Sequence, residues 1–420
     1  MSSASRTSLF LLLLVATLTV ATPGNTVRAQ NNRYVLTSVQ QNIDVGDWRI
    51  DARKTGVAPG VPWSVRRQRL HGGKQDGVDL VAIDNGELTI TLVPTRGMGI
   101  LHVVSGDLRL GWDSPVREVV HPKYVNLEAR GGLGWLEGFN EWMARCGLEW
   151  AGHPGVDRFV NNVGEQAEMN LTLHGKVANI PASEVEVIVE GAPRPRIRVR
   201  GRVDERAFYG PKLELWTEVS TEPGSSTFRI EDTLTNRGAF DQEFQILYHA
   251  NYGPPVLGPG ARFSGAVRRV VPFNAHAAKD VATFAEYTGP VRGFIEQVYN
   301  LHPYADAGGR SLVMLRNAAG DRGVSMGFAV AELPYVTLWK NLTAVEEGYV
   351  TGLEPGTSFP YTRRLEREAG RVPKLKPGET RRFAIDIGLH ATTDAVRMVE
   401  DRITRIQDGR PTQIDRAPER

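Results

Sequence analysis

The sequence predicts an all-β fold, an antiparallel β-sandwich that carries one helix near its C-terminal end. The first observation is that residues 34–390 of the 420-residue chain form short strand-like runs between turns, with little helical periodicity. The second is the presence of 44 glycines and 25 prolines, which suit the many corners of such a fold. Because helical runs do not alternate with the strands, a sandwich is favoured over repeated βα units.

Residues 1–29 are predicted to be a secretory signal peptide. Arg6 supplies a positive charge, residues 9–20 form a short apolar run, and residues 27–29 fit a small-residue cleavage site. The apolar run is shorter than the roughly 20 residues that a membrane-spanning helix needs. We therefore expect a secreted or periplasmic protein with no membrane attachment after signal cleavage.

Composition limits the partners and the sources of stability. The chain has 50 basic and 48 acidic residues, a formal net charge of +2, which gives no electrostatic indication of nucleic acid as a partner. Cys146 is the single cysteine, so no intramolecular disulfide can form. Residues 30–408 contain no internal repeat or linker and are interpreted as one domain, and the polar residues 409–420 are predicted to be disordered.

Alternation of apolar and polar residues identifies the strands. Residues 80–83 and 88–92 are separated by an Asp-Asn-Gly sequence at residues 84–86, which is a strong hairpin signal. In residues 196–203, isoleucine and valine alternate with arginine, which predicts one buried face and one solvated face. Further strands are predicted at residues 185–189, 213–219, 228–234, 244–249, 311–315, 323–328, 336–338 and 383–389.

Two segments depart from the strand pattern. Residues 131–155 are rich in glycine and tryptophan, so we predict a long ordered loop or a short helix over one mouth of the sheet. Near the C-terminus, Thr393 or Asp394 is expected to cap a helix whose apolar face packs on the sandwich. The residues that share this face are Val396, Val399, Ile403 and Ile406.

Three residues are candidates for acid–base chemistry. Glu354 lies in a Gly- and Pro-rich turn beside Leu353, where partly apolar surroundings raise the pKa of a carboxyl. His174 and His249 each follow an apolar run and precede a small residue, which places the rings at an edge or mouth of a sheet. The alternative for each residue is structural, since glutamates in turns are commonly solvated and histidines at strand ends are commonly satisfied polar groups.

The order of the motifs around these residues resembles the aldose 1-epimerase (galactose mutarotase) family. The motifs are Leu-His-Gly at residues 173–175, Tyr-His-Ala-Asn at residues 248–251 and Gly-Leu-Glu-Pro at residues 352–355. Thr-Arg-Gly-Met at residues 95–98 and Trp-Lys-Asn at residues 339–341 are similar to a bacterial branch of that superfamily. Each motif is weak alone, and the ordered set is fairly specific.

The resemblance implies a galactose-mutarotase-like β-supersandwich and a set of roles. Glu354 would be the general base for the anomeric hydroxyl, His249 the general acid for the ring oxygen, and His174 a second histidine that hydrogen-bonds the sugar. It implies a monosaccharide or modified sugar as substrate, and neither a metal nor an organic cofactor.

Five further residues are predicted to bind the substrate. Arg96 suits a clamp on vicinal oxygens, and Trp339 suits stacking on a pyranose, with core packing as its alternative. The remaining three are Lys340, Asn251 and Lys176. Arg96 and Lys176 together would suit an anionic sugar. Asp306 is a candidate, by position only, for the aspartate with which the family binds sugar hydroxyls.

Two other functions stay open at this level. A non-catalytic carbohydrate-binding protein could use the same concave sheet together with the aromatic residues of 131–155. A lyase or hydrolase is also compatible, because one fold hosts several chemistries. The sequence shows no evident pair of carboxylates for glycosidic cleavage, and its histidines and carboxylates have no short spacing typical of a metal site.

Overall fold

The computed structural model of the protein describes residues 32–419. The predicted signal peptide, residues 1–29, lies outside the described residues. Between residues 32 and 419, no helix combines the length and the apolar character that crossing a membrane requires.

Strands are the main regular structure of the described chain. The first nine are β1 (Asn32–Ser38), β2 (Ile43–Asp44), β3 (Trp48–Asp51), β4 (Ser64–Arg69), β5 (Asp79–Asp84), β6 (Thr89–Val93), β7 (Gly99–Ser105), β8 (Leu108–Leu110) and β9 (Met143–Leu148). The next nine are β10 (Gly155–Val160), β11 (Gln166–Leu171), β12 (Glu184–Glu190), β13 (Arg196–Arg206), β14 (Lys212–Thr221), β15 (Thr227–Asn236), β16 (Gln242–Glu243), β17 (Gln245–Tyr252) and β18 (Arg262–Gly265). The last are β19 (Val267–Pro272), β20 (Gln297–Pro303), β21 (Arg310–Arg316), β22 (Gly323–Ala329), β23 (Tyr335–Asn341), β24 (Val350–Gly356), β25 (Lys374–Leu375), β26 (Thr380–His390) and β27 (Gln413–Ile414).

Helices are short, apart from the one near the C-terminus. The α-helices are α1 (Ala52–Thr55), α2 (Ala129–Gly132), α3 (Arg363–Glu368) and α4 (Thr393–Gln407). The 3₁₀-helices are Gly73–Gln75, Pro122–Tyr124, Gly134–Gly138, Val177–Asn179, Ala277–Thr283 and Val345–Glu347.

Two large sheets form the predicted β-sandwich, and the all-β prediction is confirmed. A 10-stranded sheet has the order β18-β21-β22-β26-β15-β14-β13-β12-β1-β2. A 13-stranded sheet has the order β27-β19-β20-β23-β24-β17-β9-β7-β6-β5-β4-β3, with β8 paired to β7. Neighbouring strands run antiparallel, except that β27 runs parallel to β19. The strands β10 and β11 form a separate hairpin, and β16 pairs with β25.

The core lies between the two large sheets. Val199 and Ile385 of the 10-stranded sheet belong to the same buried apolar cluster as Leu338 and Leu353 of the 13-stranded sheet. Along β13 the apolar residues are buried and the arginines face outward, as the alternation predicts. These arginines pair with glutamates of the adjacent strands, so they form a solvated sheet face.

A buried ion pair joins the two sheets through the core. Arg145 of β9 donates from Nε to Asp232 Oδ2 of β15 over 2.5 Å, and neither side chain is exposed. Tyr248 of β17 donates its hydroxyl to the same carboxylate over 2.8 Å. Because each charge is neutralised by hydrogen-bonded partners, the pair is tolerated where an unpaired charge would not be.

Residues 131–155 differ from the predicted loop. Residues 143–148 form β9, a fully buried strand in the middle of the 13-stranded sheet. A strand that is covered on both faces lacks apolar–polar alternation, which is why the sequence pattern did not reveal it. The preceding helical turns, residues 129–138, do lie over the mouth of the sheet and carry Trp135 into the site described below.

Two predictions for the C-terminal part of the chain differ from the structure. Helix α4 packs its apolar face on β21 as predicted, but its cap is Thr392, whose side chain accepts a hydrogen bond from the Ala395 N–H. The predicted disorder of residues 409–420 does not describe residues 410–419. Strand β27 pairs with β19, and Arg269 of β19 holds both Asp415 and Glu419. These partners are about 150 residues apart in sequence, so composition alone gives no sign of them.

Candidate active site

One cavity collects the predicted acid–base residues. It has a volume of about 270 Å³ and opens on the outer face of the 13-stranded sheet. Adjacent strands β20, β23, β24 and β17 form its floor, and the segments around residues 133–139 and 153–154 form its walls. The lining residues are Leu133, Trp135, Leu136, Phe139, His153, Pro154, Leu173, His174, His249, Glu296, Val298, Thr337, Trp339, Glu354 and Pro360.

Strand β17 presents His249 to the cavity in a fixed orientation. Nδ1 of His249 lies 2.8 Å from the Asn251 side-chain oxygen, which accepts its proton. The Asn251 amide nitrogen donates to the Glu141 and His249 carbonyls, so the asparagine cannot turn over without losing both bonds. Burial lowers the pKa of His249 to about 4. The ring is therefore neutral at pH 7, and Nε2 is available toward the cavity.

A left-handed turn presents His174. Its backbone φ is 58°, a conformation that costs energy for a residue with a Cβ, and such strain is typical of functional sites. Nδ1 of His174 donates to the Ala151 carbonyl over 2.9 Å, which directs Nε2 into the cavity. Gly175 also has a positive φ, and a Cβ there would overlap the carbonyl oxygens of Gly147 and Trp150. Burial, helped by His249, lowers the pKa of His174 well below its usual range.

Glu354 is a buried carboxyl next to His249. Its Oε1 lies 3.4 Å from His249 Nε2 and has no hydrogen-bond partner among the described residues. Burial raises the pKa of Glu354 well above its usual range, and the charge of Glu296 raises it further. Gly352 makes the position possible, because a Cβ there would overlap the Glu354 carboxyl and crowd the Trp339 ring. Gly352, two residues before Glu354, is thus part of the site.

Aromatic rings surround this pair. The His249 ring lies 5.4 Å from Trp339, 5.2 Å from Phe139 and 6.0 Å from Trp135, between ring centres. Trp339 donates its indole N–H to Glu296 over 2.9 Å at the cavity mouth. Trp135 Nε1 is buried and has no hydrogen-bond partner among residues 32–419. The site therefore combines flat apolar surfaces with a few polar atoms that await a ligand.

Three polar lining residues were not predicted from the sequence. Thr337 is opposite Glu354 in the β23–β24 register, and its buried hydroxyl has no partner within the described chain. Its spacing of two residues from Trp339 was a usable signal, since such residues share one strand face. Glu296 precedes a strand that was not predicted, and His153 follows β9. Neither position carries a signal in its local sequence.

Arg96 does not reach the cavity. It is fully buried, forms an ion pair with Glu141 and donates to the Val120 carbonyl over 2.9 Å. The Glu141 carbonyl in turn accepts a hydrogen bond from the Asn251 amide. Arg96 and Asn251 therefore lie behind His249 and hold it, in place of the predicted contacts with a substrate.

The two predicted lysines also lie elsewhere. Lys340 points to the opposite face of β23 from Trp339 and donates to the Glu286 carbonyl over 2.6 Å. Burial lowers the pKa of Lys340 to about 8. Lys176 lies over the Trp150 ring, 4.6 Å from its centre, and is not part of the lining. Asp306 is an exposed turn residue that accepts backbone N–H bonds from Gly308 and Arg310.

Comparisons with known proteins agree with this architecture. The family described as domain of unknown function DUF4432 matches residues 75–389. The chain belongs to the DUF4432 family. A comparison with curated proteins found no match.

Several solved structures share the fold of this DUF4432 protein. A crystal structure of a protein from Klebsiella pneumoniae subsp. pneumoniae MGH 78578, provisionally assigned as an aldose 1-epimerase, is 42% identical. The match covers 93% of this chain and 100% of that chain with a TM-score of 0.88. A galactose mutarotase-like protein from Clostridium acetobutylicum (11% identity, 83% and 99% coverage, TM-score 0.52) shares the fold. So does the galactose 1-epimerase of Lactobacillus acidophilus NCFM (11%, 78% and 99%, 0.50).

The DUF4432 chain has a larger groove, of about 500 Å³, on the outer face of the 10-stranded sheet. Its charges are largely neutralised, since Asp386 pairs with both Arg229 and Arg310. Ser325 Oγ lies 2.8 Å from His390 Nε2 there. A serine beside a histidine suggests acyl transfer, which also needs free N–H groups to stabilise an oxyanion. The strands β22 and β26 that carry Ser325 and His390 are paired on both sides, so their backbone N–H groups are not free for this role. Size alone does not make this groove the better candidate.

Proposed function

We propose that the protein is an aldose 1-epimerase, which interconverts the anomers of a reducing sugar. The observation that carries the proposal is the pairing of Glu354 with His249 at 3.4 Å inside a cavity walled by aromatic rings. Glu354 Oε1 is buried and has no hydrogen-bond partner among residues 32–419, and an unsatisfied buried carboxyl is costly unless a ligand uses it. The 42% identity to the Klebsiella protein supports the same reaction class.

The pKa shifts of the two residues have opposite directions. Burial raises the pKa of Glu354 and lowers the pKa of His249 to about 4, which favours a shared proton on Glu354 over His249. A sugar hydroxyl that donates to Glu354 favours its carboxylate form, and the single proton then belongs on His249. An acid and a base that share one proton in this way can serve both directions of a reversible reaction.

The reaction then needs no other proton carrier. Glu354 accepts the proton of the anomeric hydroxyl while His249 donates its proton to the ring oxygen, and the bond between C1 and the ring oxygen breaks. The open-chain aldehyde rotates about the C1–C2 bond. Ring closure returns the proton from Glu354 to the new anomeric oxygen and the proton of the attacking hydroxyl to His249. His174, with Nε2 toward the cavity, hydrogen-bonds the sugar beside the ring oxygen.

The remaining polar atoms of the cavity bind and orient the sugar. Trp339 and Trp135 offer flat surfaces for the C–H faces of a pyranose. Thr337 Oγ1 and Trp135 Nε1, both without partners among the described residues, complete their hydrogen bonding with ring hydroxyls. Glu296, fixed by the Trp339 indole, accepts a hydroxyl proton at the mouth.

The test is NMR measurement of anomer exchange with the mature protein and a panel of reducing sugars. We expect Glu354→Gln and His249→Asn each to lower the exchange rate by about 10²–10⁴-fold, the usual contribution of a positioned acid or base. Glu346→Gln is the matched control, because Glu346 is an exposed glutamate on the 3₁₀-helix just before β24. Its exchange rate should equal that of wild type.

Each result has a definite reading. Acceleration that is lost in Glu354→Gln and kept in Glu346→Gln supports the epimerase. Chemical-shift changes on sugar addition without any acceleration would replace it with a non-catalytic carbohydrate-binding protein.

Glycosidic cleavage is a second candidate, favoured by one observation. Glu296 and Glu354 both line the cavity, so the site contains two carboxyl groups, of which the sequence indicated only Glu354. Such enzymes use a carboxyl pair, one as acid and one as nucleophile or base. Release of nitrophenol from aryl glycosides, abolished by both Glu296→Gln and Glu354→Gln, would establish this reaction in place of epimerisation.

Export is the last part of the proposal. It rests on the charge, the apolar run and the cleavage-site pattern of residues 1–29. Sequencing of the N-terminus of the protein from periplasmic or secreted fractions should begin near Gln30, and full-length protein confined to the cytoplasm would contradict it.

A further inference from the structure

We infer that one end of the sandwich is the interface of a symmetric dimer of this chain. The interface is formed by two turns, residues 207–211 and 237–241, which together are called the aromatic end. None of these residues lines the cavity of the 13-stranded sheet, so the inference concerns a second surface and goes beyond the proposed function.

The aromatic end carries the most exposed apolar side chains of the described chain. Phe240, Phe208 and Tyr209 keep 84%, 83% and 72% of their surface in solvent, and no other large apolar side chain among residues 32–419 is as exposed. The rings of Phe208 and Tyr209 lie against each other, 4.3 Å between ring centres. Single exposed apolar residues are ordinary on protein surfaces, but a group of this size marks a binding surface.

The two turns are neighbours and are held by internal hydrogen bonds. Residues 207–211 join β13 to β14, and residues 237–241 join β15 to β16. The Arg237 N–H donates to the Lys212 carbonyl over 2.8 Å, which links the two turns. Lys212 Nζ donates to three carbonyl groups of the first turn, each over 2.9 Å. The backbone that presents the rings is therefore already ordered, which lowers the entropy cost of association.

A groove opens at the same end of the sandwich. It has a volume of about 500 Å³, and residues 380–383, Pro334 and Pro373 are in its lining. Residues 380–383 lie in the first part of β26, and Thr380 is opposite Thr235, the last residue but one of β15 before the Phe240 turn. One surface thus carries both projecting rings and a recess. Two copies related by a two-fold axis can each place their rings in the groove of the other, which is the self-complementarity that an isologous interface requires.

The area of the rings is sufficient for a dimer. A buried aromatic side chain removes about 150–250 Å² from solvent, so three rings from each of two copies supply on the order of 1,000 Å². Stable protein–protein interfaces bury about 1,200–2,000 Å² in total. The rings therefore supply more than half of the required area, and the groove walls around them can supply the rest.

The charges beside the rings also favour a second copy as the partner. Lys212 has carbonyl oxygens as its partners in place of a carboxylate. Asp241, which follows Phe240, is exposed. Across a two-fold axis, the cation beside the rings of one copy can meet the carboxylate beside the rings of the other. A mixture of signs suits such self-pairing better than it suits an anionic surface or a polyanion.

The experiment is sedimentation equilibrium of the mature protein over a range of micromolar concentrations. We expect the mass of a dimer for wild type. The triple variant Phe208→Ser, Tyr209→Ser, Phe240→Ser should raise the dissociation constant by about 100-fold or more, because aromatic anchors carry most of the energy of an interface. Val163→Ser is the control, since Val163 is 69% exposed in the turn between β10 and β11 and outside the aromatic end. It should dimerise as wild type does.

A charge variant gives an independent check. Asp241→Lys should also weaken the dimer, and its difference from wild type should shrink at high salt, because salt screens charges at the rim of an interface. Circular dichroism verifies that each variant is folded, which is expected because the replaced side chains are exposed.

The outcomes decide the inference without reference to catalysis. A wild-type protein that is monomeric at every concentration overturns it. A dimer that the triple variant retains lies elsewhere on the surface and also overturns it. So does a monomer that sediments with vesicles of phosphatidylcholine and phosphatidylglycerol only while the three rings are present, since the aromatic end would then bind lipid. The NMR exchange measurement tests the epimerase separately.

Discussion

The outer face of the 10-stranded sheet and the cavity of the 13-stranded sheet treat charge in opposite ways. On the outer face, arginines and carboxylates are partly exposed and paired: Arg310 Nη2 lies 2.5 Å from Asp386 Oδ2, with about two-fifths of each side chain in solvent. In the cavity, Glu354 is fully buried and its Oε1 has no partner within residues 32–419. The first arrangement is what solubility and sheet stability require.

The difference indicates where function lies. A buried carboxyl oxygen without a hydrogen-bond partner destabilises a fold. Within residues 32–419 the protein keeps one, Glu354 Oε1, beside the neutral His249 and close to the strained backbone of His174. Charges that serve the structure alone are exposed and paired, as on the outer face, or buried and fully compensated, as in Arg145 and Asp232. Three pairs of variants sharpen this comparison.

The largest difference in stability is expected between a variant that breaks a buried ion pair and one that breaks an exposed ion pair. Asp232→Ala leaves the Arg145 guanidinium buried without its carboxylate, and should lower the free energy of unfolding by about 3–5 kcal/mol. Asp386→Ala removes an exposed partner of Arg310, and should cost no more than about 1 kcal/mol. Urea denaturation followed by fluorescence measures both, and similar losses in the two variants would contradict the contrast.

A smaller effect is expected at the turn that presents His174. Gly175 and Gly164 both have positive φ, at 72° and 85°, but a Cβ at residue 175 meets backbone oxygens whereas a Cβ at residue 164 meets open space. Gly175→Ala should cost about 2 kcal/mol or more of stability, and Gly164→Ala about 1 kcal/mol from backbone strain alone. Thermal unfolding of the two variants is the measurement. Equal shifts in Tm would show that the close approach at Gly175 is relaxed in solution.

The smallest effect is a pH dependence. Glu354 keeps its proton in the folded protein, because burial raises its pKa, whereas in the unfolded chain the carboxyl loses it near the ordinary value of 4.5. Its contribution to stability is therefore complete below pH 4.5 and is lost as pH rises toward the folded-state pKa. Relative to wild type, Glu354→Gln should gain stability as the pH rises from 5 to 8.

The exposed Glu346→Gln serves as the control for that measurement. A difference in Tm between wild type and Glu354→Gln that stays constant with pH would mean that Glu354 is already ionised in the folded protein at neutral pH.

Much of the fold could be predicted from the sequence, because amphipathic strands show a clear alternation of apolar and polar residues. The arginines of β13 alternate with buried valines, and the Asp-Asn-Gly turn after β5 forms the predicted hairpin. Strand β9 escaped prediction because both of its faces are buried. The order of the C-terminal residues 410–419 was not predicted because their partners, such as Arg269, are remote in sequence.

The site was predicted only in part, for a geometric reason. Motif order led to His174, His249 and Glu354, which the structure brings into one cavity. Lys340 has the right chemistry and follows Trp339 in sequence, but adjacent residues of a strand point to opposite faces. Arg96 lies in the turn between β6 and β7 and is buried against Glu141. Glu296 lies in the loop just before β20, and no pattern in its local sequence indicates that it lines the cavity.

The short strand β27 has a consequence for how the protein can be handled. It covers part of the edge of β19, and Asp415 and Glu419 fasten it there through Arg269. A chain cut at residue 409, the boundary that composition suggests, would leave that edge open as a template for pairing between molecules. We therefore expect the truncated protein to self-associate through the exposed edge of β19. Preparations intended for crystals or kinetics should retain the last ten residues.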